Sequence, residues 1–291
     1  MMVTIVAGGG VTLVTDEDTS VSGSAAAIGD PGDTLSYGVS HAAAHGTVVG
    51  DAATGAFTYT PNADYFGNDS FDVMVVDGHG GSDTLRVEVT VAPVNDAPKP
   101  TTNTPFTATG NEEAAITGTV TLTDPEGDRM TYRVLDAAKN GRVSIDQNGS
   151  YTYTGNKDFF GEDKFTVLVT DAFGASTEVP VTVTVNNVQD APVFKAGTTV
   201  NMAVTKEIAA NRTFFAIDPD GDTVTYRAGS VHPQHGDLGI DPVRGTVRYT
   251  PEDDYLGTDQ FTLEARDASG NVSILTAVSY THLTLPTNRE V

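Results

Sequence analysis

The sequence predicts an all-β chain: three tandem antiparallel Greek-key β-sandwiches in an elongated array. Three observations carry this. One stretch recurs: YTPNADYFGNDSFDVMVVD at 59–77, YTYTGNKDFFGEDKFTVLVTD at 151–171 and YTPEDDYLGTDQFTLEARD at 249–267. Its period is that of one small sandwich domain and exceeds a solenoid repeat. Val, Thr, Tyr and Phe alternate with polar residues throughout, punctuated by Gly, Asn, Asp and Pro, and helical periodicity is absent.

The tyrosines Tyr59, Tyr153 and Tyr249 are 94 and 96 positions apart, and Asp77, Asp171 and Asp267 keep the same intervals. A chain of 291 residues therefore divides into three repeats, 1–98, 99–192 and 193–277. Within each, about seven short strands with regular turns are expected. Phe71, Val73 and Val75 match Phe165, Val167 and Val169, then Phe261, Leu263 and Ala265. Residues two apart share a sheet face, so each trio points into a core. The last strand gives Leu85, Val87, Val89 and Val91, matched by Val179, Val181, Val183 and Val185.

After the first two final strands comes Val94-Asn95-Asp96-Ala97-Pro98, repeated as Val188-Gln189-Asp190-Ala191-Pro192. Proline stiffens the backbone and removes a donor, so these read as short extended linkers. In the third repeat the register breaks: Ser279 and Thr281 stand where apolar residues are due, and Pro286 where the linker aspartate is due. Residues 278–291 read as a non-native adaptor-type tail or as a divergent natural terminus. The N-terminus reads as the cut edge of a longer chain.

Sixteen basic residues against 39 acidic ones give a net charge of −23. Such a chain repels nucleic acid and attracts cations. There is no cysteine, hence no disulfide and no thiolate metal site. No apolar run approaches the roughly 18 residues of a membrane span, so membrane insertion is not expected.

The acids recur in four sets. One lies in Asp124-Pro125-Glu126-Gly127-Asp128 and Asp218-Pro219-Asp220-Gly221-Asp222, shortened to Asp30-Pro31-Gly32-Asp33 in the first repeat. A second is Asp18, Glu113 and Glu207. A third is the pairs Asp64 and Asp69, Asp158 and Asp163, Asp254 and Asp259. The fourth is Asp77, Asp171 and Asp267. Strand direction puts the first and fourth sets at one end of a sandwich, the top, and the others at the base. Stacking then brings a base, a linker and the next top together. Like charges at close range are costly, and a cation resolves the conflict. Six to eight oxygen ligands suit calcium.

The Asp-Pro-Asp-Gly-Asp loop serves as a plain turn or as a turn that also supplies ligands. It is no EF-hand, because its glycine comes fourth and not sixth. Gly67, Gly161 and Gly257 are expected to adopt positive φ, and the recurrent tyrosines to be core or corner residues. His45 and His235 precede a glycine where the second repeat has Asn140, which suits a turn and not a zinc site. Threefold repetition argues against a single active site, so no enzymatic activity is expected.

The motifs at 59–71, 218–222 and 94–98 together resemble the bacterial cadherin-like or immunoglobulin-like tandem repeats of large secreted adhesins. That resemblance implies calcium at the joints. The first would use Asp18, Asp69, Asn95, Asp96, Asp124, Asp128 and Asp171. The second would use Glu113, Asp163, Asp190, Asp218, Asp220, Asp222 and Asp267. Two departures are Gln189 in place of the linker asparagine and the shortened loop of the first repeat. The implied role is a calcium-stiffened extender outside the cell or on its surface, its partners the neighbouring repeats of one longer chain. Cell-surface glycan or protein would be reached through other domains. The alternatives are a glycan- or protein-binding module, although tryptophan is absent, or accessory repeats of a secreted hydrolase.

Overall fold

The computed structural model describes residues 3–6, 10–102 and 105–282. Each repeat is a sandwich of a four-stranded and a three-stranded sheet. In the second repeat the four strands run in the order Phe106–Asn111, Ser176–Asn186, Gly161–Thr170, Thr131–Asp136. The three are Ala115–Thr119, Ser150–Gly155 and Gly141–Ile145, in that order. A two-residue ladder, Lys99–Pro100 against Leu122–Thr123, ties the incoming chain to the sandwich. The first and third repeats have the same topology. The pairing is not wholly antiparallel: Phe106–Asn111 runs parallel to Ser176–Asn186, as do Val11–Asp16 to Ser82–Ala92 and Thr199–Thr205 to Val272–His282.

Alternation explains the cores. Phe165, Val167 and Val169 are buried on one side, and Val179, Val181, Val183 and Val185 join them across the hairpin. Each such side chain contributes about 1.5–3 kcal/mol of burial. Three separate clusters result, one per repeat.

Tyr59, Tyr153 and Tyr249 are fully buried. The glycine opposite each makes room: a Cβ on Gly46, Gly141 or Gly236 would lie 2.4 to 2.7 Å from the tyrosine ring. These three glycines thus serve close approach rather than a turn. Gly67, Gly161 and Gly257 do adopt positive φ, at 130°, 116° and 154°.

The third repeat's last strand runs through His282, past the boundary expected at 277. Ser279 and Thr281 are buried on the core face, opposite Asp259 and Gly257 as Val183 and Val185 are opposite Asp163 and Gly161. Residues 283–291, the remainder of the expected tail, lie outside the described residues.

Candidate metal centres at the two joints

The strand Val11–Asp16 turns Val11, Leu13 and Thr15 inward, and the same parity turns Glu17 inward after it. Glu17 is only 3% exposed. Its N–H extends the parallel ladder to the Ala92 carbonyl at 2.9 Å. Its Oε1 accepts the linker N–H of Val94 at 2.6 Å, and its Oε2 has no donor. Glu112 repeats this: it is 5% exposed, Oε1 accepts Val188 N–H at 2.6 Å, and Oε2 has no donor. The next residues, Asp18 and Glu113, adopt left-handed φ of 57° and 58°, as do Asp64 and Asp158 at 59° and 58°. Glu207 and Asp254 of the third repeat share it at 61° and 63°, so the left-handed turn belongs to the repeat itself.

The top loops are wound around one carboxylate oxygen each. Asp124 Oδ1 accepts the N–H groups of Glu126 and Asp128 at 3.1 and 3.0 Å, leaving a buried Oδ2 with no donor. Asp218 does the same with Asp220 and Asp222 at 3.0 and 3.2 Å, and its Oδ2 also lacks a donor. The linkers dock on these loops. Asp96 N–H donates to Glu126 Oε2 at 2.9 Å, and Asp190 N–H to Asp220 Oδ2 at 2.7 Å. Asn95 Nδ2 donates to Asp171 Oδ2 at 2.9 Å, while Asp171 Oδ1 takes three N–H groups of its own loop.

Carboxylates from two repeats and a linker therefore converge. At the first joint, one oxygen each of Glu17, Asp96 and Glu126 lie within 4.8 Å of one another, as do those of Asp18, Asp64 and Asp96. Asp124, Glu126 and Asp128 form a third such group. At the second joint the groups are Glu112, Asp190 and Asp220, and Glu113, Asp158 and Asp190. Burial raises the Glu17 carboxyl above its ordinary pKa; Val94 N–H opposes, and Glu126, Asp96 and Asp18 add to the rise. Burial likewise raises Asp128, helped by Asp124 and Asp171. It also raises Asp218, although its loop N–H groups oppose.

Of the expected ligands, Asp18, Asp96, Asp124 and Asp128 meet at the first joint, and Glu113, Asp190 and Asp220 at the second. Asp218 and Asp222 share the loop that Asp190 docks on. Asn95 and Asp171 pair with each other. In the second repeat pair, Asp267 Oδ2 accepts instead from Asn271 of its own loop at 2.9 Å.

Asp69 and Asp163, expected as ligands, are engaged within their own repeats. Asp163 Oδ1 accepts Lys139 and Lys164 N–H at 3.1 and 2.9 Å, and Oδ2 accepts Asn140 N–H and the Tyr153 hydroxyl at 2.7 and 3.0 Å. Asp69 is held the same way by Ala44, His45, Ser70 and Tyr59. With two donors on each oxygen, these carboxylates have their charge satisfied inside the repeat and belong to neither metal group. The buried Glu17 and Glu112 lie in the acidic groups of the two joints, where continued strand parity points.

The third base differs. Lys206 stands where Glu17 and Glu112 stand, its N–H on the His282 carbonyl at 3.0 Å. Its ammonium contacts Asp254 and lies 3.3 Å from Glu207. That base carries its own cation.

The profile of the bacterial Ig domain matches residues 4–90 and 189–278, together more than half of the chain. The profile of the bacterial cadherin-like domain matches residues 95–187. Among solved structures, mouse cadherin-23 EC22-24 is similar at 16% identity and a TM-score of 0.55, covering 97% of this chain and 99% of that one. Human CDH23 EC21-23 is similar at 17% identity and a TM-score of 0.54, covering 92% and 96%. Protocadherin gamma B2 extracellular domains 1-5 are similar at 16% identity and a TM-score of 0.55, covering 97% of this chain. The chain spans 60% of that protein's length and 65% of the human desmocollin-1 ectodomain. At these identities the likeness is one of fold. No curated protein sequence matches the chain.

Proposed function

We propose that this chain, which belongs to the bacterial Ig domain family and carries a bacterial cadherin-like domain at its centre, is a calcium-stiffened spacer of an extracellular adhesin. Domains of these families are typically extracellular. The observation that carries the reading is the pair Glu17 and Glu112. Each is a buried carboxylate at the foot of a sandwich, one oxygen holding the linker and the other without a donor. An ionised, unpaired oxygen there is costly. A cation shared with Asp96 and Glu126, or with Asp190 and Asp220, removes that cost.

The donors in these groups are all carboxylate oxygens, which fits a hard cation, and their number favours calcium over magnesium with its stricter geometry. Calcium, when bound, would supply the positive charge that these carboxylates lack. Glu17 and Glu112 fix the linker, Asp124 and Asp218 pre-form the loops, and Asp96 and Asp190 serve both neighbours. The function is then mechanical: reach and stiffness, with recognition carried out by other domains.

Calorimetric titration of the metal-free chain tests this. Saturable calcium binding with Kd of roughly 10⁻⁴ to 10⁻³ M, and a melting temperature lowered by chelator, are expected. No heat of binding and an unchanged melting curve would refute it.

A further inference from the structure

The two joints are not equivalent, and the difference lies in one lysine. Lys99 belongs to the second repeat, because the ladder of Lys99–Pro100 with Leu122–Thr123 fixes its backbone there. Its side chain reaches back across the joint. The ammonium lies 2.7 Å from Asp64 Oδ1 of the first repeat and 3.4 Å from Asp96 Oδ2 of the linker. Asp64 and Asp96 are two of the three acids in the outer group with Asp18. The linker behind Lys99 is held as well, by Thr177 Oγ1 donating to the Pro98 carbonyl.

At the second joint the same ladder position is Val193, paired with Ile217 as Lys99 is with Thr123. Valine has no charge to offer the outer group of Glu113, Asp158 and Asp190. Lys157 bonds Asp158 of its own repeat and lies close enough to Glu113 and Asp190 for their charges to raise its pKa, but with a side chain 74% exposed it makes no ion pair to the third repeat. Among the described residues, no salt bridge spans the second joint from one repeat to the next.

We propose that Lys99 is a built-in monovalent counter-ion that tethers the first joint without metal, so that withdrawal of calcium releases the second joint selectively. The chain then has one joint held by an ion pair between partly exposed side chains and one calcium-gated hinge. This rests on the calcium reading above for the second joint, whereas the tether at the first stands apart from it. A further consequence follows for the first joint. An ammonium a few ångströms from a divalent ion repels it, so Lys99→Met raises calcium affinity there on the order of tenfold.

Because the chain contains no cysteine, spin labels can be placed by single substitutions. Val49 and Val243 are 72% and 77% exposed, and Gln147 is exposed on the middle repeat. Distances from 49 to 147 report the first joint, and from 147 to 243 the second. In chelator, the 147–243 pair is expected to lose its narrow distance peak while the 49–147 pair keeps it. Lys99→Met loses the 49–147 peak in chelator and regains it in calcium; Val193→Lys restores the 147–243 peak without calcium. Equal broadening of both joints in the parent chain, or a 49–147 peak unaffected by Lys99→Met, would overturn the proposal. Should the 147–243 peak be the same with and without calcium while Lys99→Met still loosens the first joint, the tether stands and the gated hinge falls, together with the calcium reading.

Discussion

The Tyr153 hydroxyl donates to Asp163 Oδ2 at 3.0 Å, completing a set of four donors around a carboxylate buried inside the second repeat. The pairs Tyr59–Asp69 and Tyr249–Asp259, at 2.9 and 3.1 Å, repeat it. This pair holds the long Gly161–Thr170 strand against the loop of Lys139 and Asn140, so its role is structural.

Tyr153→Phe should therefore destabilise the second repeat by about 2 kcal/mol, the loss of one hydrogen bond to a charged group. Asp163→Ala should cost at least about 3 kcal/mol, since it strands three N–H groups and a hydroxyl. Calcium stoichiometry should stay unchanged in Tyr153→Phe. Chemical denaturation and calorimetry read the two effects. A loss of one bound ion in Tyr153→Phe, with stability intact, would return Asp163 to the metal site.

Acid should unfold the repeats through these same residues. Burial pushes the Asp69, Asp163 and Asp259 carboxyls up, but three backbone N–H groups and a tyrosine hydroxyl outweigh it and leave each below its ordinary value. A lowered folded pKa gives stability that is fully present above the unfolded value of about 3.9. It is lost as pH falls through the lowered folded values. Thermal melts in chelator, which remove the metal contribution, should show this loss setting in below about pH 4. Asp163→Asn should flatten that slope; an unaltered slope would contradict the assignment.

The sandwich cores were legible because period-two alternation is local: Phe165, Val167 and Val169 declare their own face. The joints were legible in part, since Asp124 and Asp128 lie in one short loop and Asp96 in a recurring linker. Asp163 was not, because its donors Lys139 and Asn140 lie 24 and 23 residues away. Spacing alone cannot show that a carboxylate is already satisfied. Glu17 was readable by continuing the parity of Val11, Leu13 and Thr15 past the strand end, but Asp18 beside it drew the assignment. The Lys99 contact depends on how two domains meet, which no local pattern encodes.

Glu17→Gln should weaken calcium at the first joint, and Glu112→Gln at the second, each by about tenfold or more, as ligand charge sets affinity. The linker N–H bond survives in the amide, so folding should not suffer. Binding should also release protons. Glu17, Asp128 and Asp218 are raised by burial first and then by neighbouring acids. In chelator their ionisation opposes folding, so the stability they contribute at low pH is lost as pH rises through the raised values. Calcium reverses this, and its affinity should fall as pH drops through the same range. Calorimetry in two buffers of different ionisation heat measures the proton count. No proton release, with full affinity in Glu17→Gln and Glu112→Gln, would remove both glutamates from the site.

If a divalent ion between facing carboxylates stiffens the array, its removal must let the array bend. Small-angle scattering on the full chain, in about 1 mM calcium and then in chelator, tests it most directly. Chelation should lower the radius of gyration and smear the long-distance end of the pair distribution. Superimposable profiles in the two buffers would contradict it.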